Sequence, residues 1–451
     1  MANLKIKDFR AIKNADIEVS DFLVVIGEQA SGKSTISKLI HYFKSLKSDA
    51  NDCLSEHQND SQEAVLATQK KINVKAQVRF YRLFGSTKKE SFTIEYQYSI
   101  GKTITIKQTR MGTLNIDLSW YKTDWYQLVG DYSHFWSEFE SDTNGYSLNR
   151  DNIVEIKRKR EKEKREKDFS DRVNALFGDT GRSRNYIPAS RSLISSLASS
   201  SGRYFFSNTK SNDDKDIDVA KYFDETVGVF FGEIGRIKEG ILKKKNLSEI
   251  IESANPNTQK ALELFYPLLK KILKADYQLV NEREEFIIEG SPKHVLLEFA
   301  SSGQQEIVWI LLCLFIWTYE DYPSFVVIEE PEAHLYPKTQ DLALRYIVQF
   351  FNANPNNQVV INTHSPYLIL ALNNLLFAHQ VNNEGIVAST ELNKECWLDP
   401  KRFGAYLIEN GTVKNIFDSD EGLIAESILE YEATAISAIF DKISDVYQPI
   451  N

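Results

Sequence analysis

Hydrophobic and polar positions alternate over Leu4–Phe9, whereas Phe22–Ile26 reads Phe-Leu-Val-Val-Ile with no polar residue. The first pattern is that of a half-buried strand and the second that of a strand buried on both faces of a mixed sheet, with a turn expected near Asn14. Gly27 ends the apolar run and Lys33–Ile40 continues at helical spacing, so the segment predicts strand, glycine loop, helix. Residues 45–70 are polar and fit a helix or a loose connection. From Val74 to Trp120 the pattern reads as β. Phe92–Tyr98 and Thr103–Thr109 alternate on either side of Gly101-Lys102, a two-residue hairpin turn, and Thr113–Trp120 would complete a meander.

The middle of the chain changes character. An aromatic stretch from Trp120 to Trp136 leads into Glu155–Asp168, with eight basic and five acidic side chains. Two readings of that run stay open: a solvated helix face with i,i+4 pairs, or a contact with a phosphate backbone. It is too short for a long coiled-coil arm. Residues 195–216 are Ser-, Asn- and Asp-rich punctuation. Helical patterning resumes over 217–277, where Leu262, Leu264, Phe265, Leu268, Leu269, Ile272 and Leu273 form a stripe that reads as core. Strands return at Glu285–Ile288 and His294–Phe299. Ile307–Trp317 is an unbroken apolar run, too short to cross a bilayer and read as a buried helix.

At 451 residues the chain has room for two or three domains. With 42% apolar and 26% charged residues, collagen-like, mostly disordered and disulfide-scaffold classes are excluded. The balance of 54 basic against 63 acidic residues, −9 overall, argues against a surface coated in positive charge but permits a local basic patch. Cys53, Cys313 and Cys396 have no metal or disulfide spacing, which fits a reducing cytosol. The first residues, MANLKIKDFRAIKN, carry charge where a signal peptide needs an apolar stretch. The expectation is a soluble cytoplasmic protein with no membrane partner.

Candidate chemistry begins at the glycine loop. Gly27-Glu28-Gln29-Ala30-Ser31-Gly32-Lys33-Ser34, followed by Thr35, matches G-x-x-x-x-G-K-[ST] in full, between a strand and a helix. The glycines let backbone N–H groups turn around a β-phosphate, and the helix start adds its positive dipole end. Lys33 would reach the β- and γ-phosphates and Ser34 would hold Mg²⁺, so ATP and Mg²⁺ are the expected cofactors. Phe325–Ile328 is a buried strand ending in Glu329-Glu330. Glu329 should hold Mg²⁺ through its water shell and Glu330 can polarise the attacking water. Two acids at a solvent-exposed strand end are the plainer reading, which leaves Pro331–Pro337 (Pro-Glu-Ala-His-Leu-Tyr-Pro) unexplained. Ser301-Ser302-Gly303-Gln304, small residues opening the apolar helix, form a second anion-binding cup. His364 follows the apolar strand Gln358–Asn362; it can donate to a γ-phosphate, or be an ordinary loop histidine.

These four elements in this order resemble the ABC-type ATPase head of the OLD/RecF/SMC branch. The segments Ser301–Glu306, Ile328–Pro337 and Thr363–Leu368 are similar to those of bacterial OLD-like ATPases. The resemblance covers residues 1–45 and 285–375 and hardly touches the middle. Asp8-Phe9-Arg10 resembles the branch's first strand, which implies that Arg10 approaches the nucleotide. It also implies an α/β fold: an ABC-type P-loop head, a mixed sheet with an antiparallel β-subdomain, carrying a mainly helical insert. The head would be written in two pieces, 1–120 and 281–451, around an insert at 121–280. In such heads two protomers sandwich ATP, so Ser301 and Gly303 would act in trans and Lys33, Ser34, Glu329, Glu330 and His364 in cis. Ala300 and Ser302 depart from the signature L-S-G-G-Q, and Glu329 stands where transport ATPases have Asp. A glutamine that senses Mg²⁺ is also expected, and Gln77 on the β-like stretch is a candidate.

Three functions compete. A transporter subunit needs about a hundred residues between phosphate loop and signature, whereas Ser34 and Ser301 lie 267 apart. A RecF/SMC-like DNA-repair or DNA-maintenance ATPase calls for long coiled coils or a broad basic face. The favoured expectation is the ATPase of an anti-phage defence system such as Septu or PARIS: a homo-oligomer, at least a dimer, controlling a separate effector protein, a nuclease, in answer to DNA or a phage-derived trigger. The 87 residues after His364 are too few for a fused TOPRIM nuclease. Asp418–Asp445, with eight acids against Lys442, reads either as a helix packed on its own head or as one docking on a basic partner.

Overall fold

The computed structural model describes residues 2–55, 62–87, 90–118, 124–125, 127–132, 134–135, 152–178, 182–189, 191–192, 224–291, 293–381 and 392–425. The punctuation at 195–216 and most of the acidic segment 418–445 lie outside the described residues.

Strands β1 (Ala2–Phe9) and β2 (Ile12–Val19) form a hairpin in which Phe9 pairs with Ile12. The turn is therefore Arg10-Ala11, with Arg10 at φ 55, and Asn14 is an exposed strand residue rather than a turn. Burying Ile12, Ala15, Ile17 and Val19 together forces the chain to reverse earlier than expected. β3 (Phe22–Gly27) is buried throughout. Phe22, Val24 and Ile26 belong to one core and Leu23 and Val25 to the other, the mark of a strand covered on both faces.

Helix α1 (Lys33–Ser55) leaves the glycine loop and α2 (Gln62–Phe84) packs on it. α2 occupies ground where the pattern from Val74 onward suggested strand. Ile72, Ala76, Phe80 and Leu83 are buried at three- and four-residue spacing while Val74 and Val78 are exposed, so burial follows the helical period. Gln77 accordingly sits on a helix, half-buried, and not on a β stretch. The expected meander is present as β4 (Phe92–Ser99), β5 (Lys102–Gln108) and β6 (Leu114–Asp117).

Next come α3 (Asn152–Leu176), β7 (Ser183–Ile187), α4 (Glu225–Ile237), α5 (Leu247–Glu252), α6 (Pro256–Leu273), and the small sheet of β8 (Ala275–Val280), β9 (Arg283–Ile288) and β10 (His294–Leu296). The chain continues through α7 (Ser302–Glu320), β11 (Ser324–Glu329), α8 (Pro337–Ala353), β12 (Gln358–Thr363), α9 (Pro366–Val381), β13 (Phe403–Glu409) and β14 (Thr412–Asn415). The main sheet has the order β6-β5-β4-β1-β2-β14-β13-β3-β12-β11-β7. β13, β3, β12, β11 and β7 are parallel, and β1, β2 and β4–β6 form an antiparallel wing, so the fold is α/β with a large mixed sheet.

The expected insert at 121–280 is not a separate unit where it is described. β7, from its middle, pairs with β11 from Ser183–Ser324 to Ile187–Ile328 as the edge strand of the main sheet. Phe230 and Ile234 of α4 and Leu262, Phe265 and Leu269 of α6 share one core with α7. The reason lies in α7, buried continuously from Glu306 to Thr318. A helix apolar all round needs cover on the side away from the sheet, and the α6 stripe supplies it. Lys38 of α1 also pairs with Asp224, the N-cap of α4, at 2.5 Å. On α3, residues 159–168 are exposed apart from half-buried Lys162, which pairs with Glu166 at 3.8 Å, as expected of a solvated face. No helix among the described residues is long and apolar enough to cross a membrane.

Candidate active site

β3 delivers Gly27 to the base of the phosphate loop. A Cβ there would sit 2.8 Å from the Ile408 carbonyl oxygen, so the close approach of β13 admits only glycine. Ala30 at φ 60 and Gly32 at φ 112 bend the loop back over itself. Glu28, Gln29 and Ala30 are exposed, and Ser34 and Thr35 form the first turn of α1. Lys33 is buried, and its Nζ donates to the carbonyls of Gly27 and Glu28, each at 2.7 Å. Burial lowers its pKa, opposed by the carboxylates of Glu330, Glu332, Glu329 and Glu28. A cleft of about 370 Å³ brings Arg10, Gln29, Ala30, Gly32, Lys33, Ser34, Thr35 and Glu330 together. Arg10, at its rim, pairs with Glu90 at 2.8 Å and donates to the Phe84 carbonyl.

Glu329 and Glu330 are neighbours in sequence with different surroundings. Glu329 is buried, on the α1 face of β11, and accepts from Tyr186 Oη at 2.8 Å and from the Ala189 N–H at 3.1 Å. Burial, then the Glu329 carboxylate, raises the Tyr186 pKa well above its ordinary value, so the phenol stays a donor. Glu330 is half-buried at φ 44, with its N–H on the Asn362 carbonyl at 2.8 Å. His364 Nδ1 lies 3.7 Å from Glu330 Oε1 and 3.4 Å from Glu332 Oε1. Glu332 also accepts from Thr363 Oγ1 at 2.7 Å and from the His364 N–H at 3.0 Å, so it sets where the histidine stands.

The signature residues are elsewhere. Ser301 is the N-cap of α7, in a capping box with Gln304. Gln304 also donates to the Leu273 carbonyl at 2.7 Å, so its side chain serves its own chain. Ser301 and Ser302 are exposed. A Cβ on Gly303 would lie 2.9 Å from the His334 carbonyl oxygen, which explains the glycine. None of these four residues lines the cleft that holds Lys33.

Sequence reading missed Tyr186, Arg191, Glu306 and the role of Glu332. Arg191 has no exposed surface and donates to the carbonyls of Glu329 (2.5 Å) and Glu330 (2.8 Å). The signal for β7 was a short apolar step, Tyr186-Ile187, inside a polar region; Glu332 stood in plain view within Pro331–Pro337.

The donor set fits a nucleotide. Ser31 Oγ within the loop and Asn362 Nδ2 beside it are buried without a partner, both able to donate to phosphate. Ser34 and Glu329 carry oxygens of the kind that hard divalent cations take.

No curated protein matches the chain. Among solved structures, the chain is similar to an SMC head bound to the C-winged helix domain of ScpA (12% identity, 92% of this chain and 96% of that chain, TM-score 0.37). It is similar also to the SMC head domain from Thermotoga maritima (13%, 92% and 97%, TM-score 0.34) and to the recombination mediator protein RecF of the RecFOR pathway (11%, 92% and 97%, TM-score 0.32). The family model described as AAA ATPase domain matches residues 1–369, taking in the phosphate loop, Ser301–Gln304, Glu329, Glu330 and His364: the chain belongs to the AAA ATPase domain family.

Proposed function

We propose that this ATPase is of the ABC type and works as a cytoplasmic pair, two copies closing around ATP and Mg²⁺ with Ser301 and Gly303 of one capping the γ-phosphate held by Lys33 of the other. The observation that carries this reading is the separation of the half-sites: the cleft holds Lys33, Ser34, Arg10 and Glu330 but none of Ser301–Gln304. The flanking aromatics Phe299 and Tyr336 are each 76% exposed, a face suited to burial against a second copy.

Bound Mg²⁺ would neutralise charge on the β- and γ-phosphates. Ser34 and Glu329 would hold it, the latter already oriented by Tyr186 and Ala189. Glu330 orients the attacking water, and His364, set in place by Glu332, donates to the γ-phosphate. Mixing tests the shared site. Lys33→Ala and Ser301→Arg chains, each inactive alone, should together regain measurable activity, with roughly a quarter of the wild-type rate as the upper limit set by independent sites, since half of randomly paired dimers would contain one intact composite site. No recovery while mixed dimers form would overturn the shared site.

The resemblance to OLD-like ATPases further supports control of a separate effector, a nuclease, in anti-phage defence. Affinity purification from the native operon should recover a second protein with nuclease activity that depends on the ATPase state. A chain recovered alone, with nuclease activity of its own, refutes the separate effector. The DNA-maintenance reading is favoured by one observation, the exposed charge of α3; recovery of duplex DNA without a protein effector would select it.

A further inference from the structure

Glu306 and Glu330 belong to different motifs, the second turn of α7 and the residue past the end of β11, and one side chain joins them. Arg191 Nε donates to the Glu306 carbonyl at 2.8 Å and lies 3.5 Å from Glu306 Oε2. Its Nη1 donates to the carbonyls of Glu329 (2.5 Å) and Pro188 (2.9 Å), and its Nη2 to that of Glu330 (2.8 Å). The Glu306 carboxylate in return accepts from the Arg191 N–H (3.0 Å), the Ser192 N–H (3.2 Å) and Ser192 Oγ (2.6 Å). The guanidinium is wholly buried and Glu306 nearly so.

The conformation at the receiving end gives this network a purpose. Glu330 sits at φ 44, a region where a residue with a side chain remains only when its surroundings over-determine it. Asn362 holds the peptide before it and Arg191 the peptide after it. The planar fork of arginine reaches all these acceptors at once, which a lysine ammonium cannot do. A buried staple of this kind could also serve stability alone, and the two roles differ in what a variant changes.

We infer that Arg191 is a positioning residue that fixes the Glu330 backbone and ties it to α7, so that capping of one ATP by the Ser301 end of α7 is transmitted to the water-orienting acid of the other site. This rests on the two-copy reading above, in which Ser301 and Glu330 of one chain serve different ATP molecules. The rigid path is short: Ser301 caps α7, Glu306 lies on its first turns, and Arg191 spans from Glu306 to Glu330. Coupling of this sort makes hydrolysis at the two sites cooperative.

The test compares full-length wild type, Arg191→Lys, Arg191→Met and Glu306→Gln in steady-state ATPase assays over ATP concentration, with equilibrium binding of a fluorescent ATP analogue and thermal melting alongside. For Arg191→Lys and Glu306→Gln, kcat should fall on the order of tenfold to a hundredfold, the effect of a slightly misplaced reacting group. Affinity for the analogue should stay within about twofold, because neither residue lines the cleft. The Hill coefficient should drop from above 1 in wild type to about 1 in the variants. Glu306→Gln keeps the shape of the side chain and carries the test if Arg191→Met does not fold. Unchanged kcat and Hill coefficient in Arg191→Lys and Glu306→Gln overturn the inference, as does lowered melting temperature with the Hill coefficient intact. A wild type whose hydrolysis is cooperative and lost in Lys33→Ala keeps the underlying reading standing whichever way the Arg191 variants fall. A wild type indifferent to Lys33→Ala removes that reading first.

Discussion

Replacing Lys33 with alanine should abolish ATP binding, raising Kd by roughly a hundredfold or more. The ammonium is buried, with two carbonyl partners at 2.7 Å and the carboxylates of Glu28, Glu329, Glu330 and Glu332 nearby. It is the cation that offsets those acids where a triphosphate would enter. Truncation therefore acts twice: the phosphate oxygens lose a charged donor, and the remaining carboxylates repel the ligand. Loss of one partner from a buried charged set costs about 3 kcal/mol or more. Lys33→Met, which keeps most of the apolar stem, should bind as poorly as Lys33→Ala, separating charge from packing. Equilibrium titration with ATP and Mg²⁺ decides the matter, and a Kd within about threefold of wild type would show that the nucleotide is held elsewhere.

Glu330→Gln should leave binding intact and act on turnover. Glutamine keeps the size of the side chain, and the backbone bonds to Asn362 and Arg191 do not involve the carboxylate. Affinity should be unchanged, while loss of the carboxylate proposed to orient the attacking water should lower kcat by about 10²- to 10⁴-fold. On the two-copy reading proposed above, hydrolysis would reopen the pair, so ATP-dependent dimers of the variant should accumulate, visible as earlier elution on size exclusion with ATP. Equal phosphate release by wild type and Glu330→Gln would sink the assignment. Glu332, the nearby alternative, is tied to Thr363 and His364, so its glutamine variant should disturb the histidine and not the base.

How much of this was legible varies by element. The phosphate loop was, because an eight-residue motif with four fixed positions, set between an apolar strand and a helix, encodes both chemistry and context locally. Glu329, Glu330 and His364 were legible as strand-end residues for the same reason. The meander at 92–117 followed from strict alternation across Gly101-Lys102. α2 was misread because Val74 and Val78 are β-branched; what decides is the partner surface on α1, which takes Ile72, Ala76 and Phe80 at helical spacing. The hairpin turn moved to Arg10-Ala11 because register is set by the pairing of Phe9 with Ile12 and not by turn propensity at Asn14.

What the sequence alone determined is therefore local: the glycine loop, the acids at the end of β11, the start of α7 and the apolar strands that carry them. Each is written in a few consecutive residues, where φ preference, period and side-chain type act together. Only the tertiary structure decided that β7 completes the sheet, that 121–280 is no separate unit where described, and that Tyr186 and Arg191 stand behind Glu329 and Glu330. Those contacts span 138 to 143 residues of chain. No local pattern specifies them; they arise because an edge of β11 needs a paired strand and a buried guanidinium needs all its acceptors within one fork.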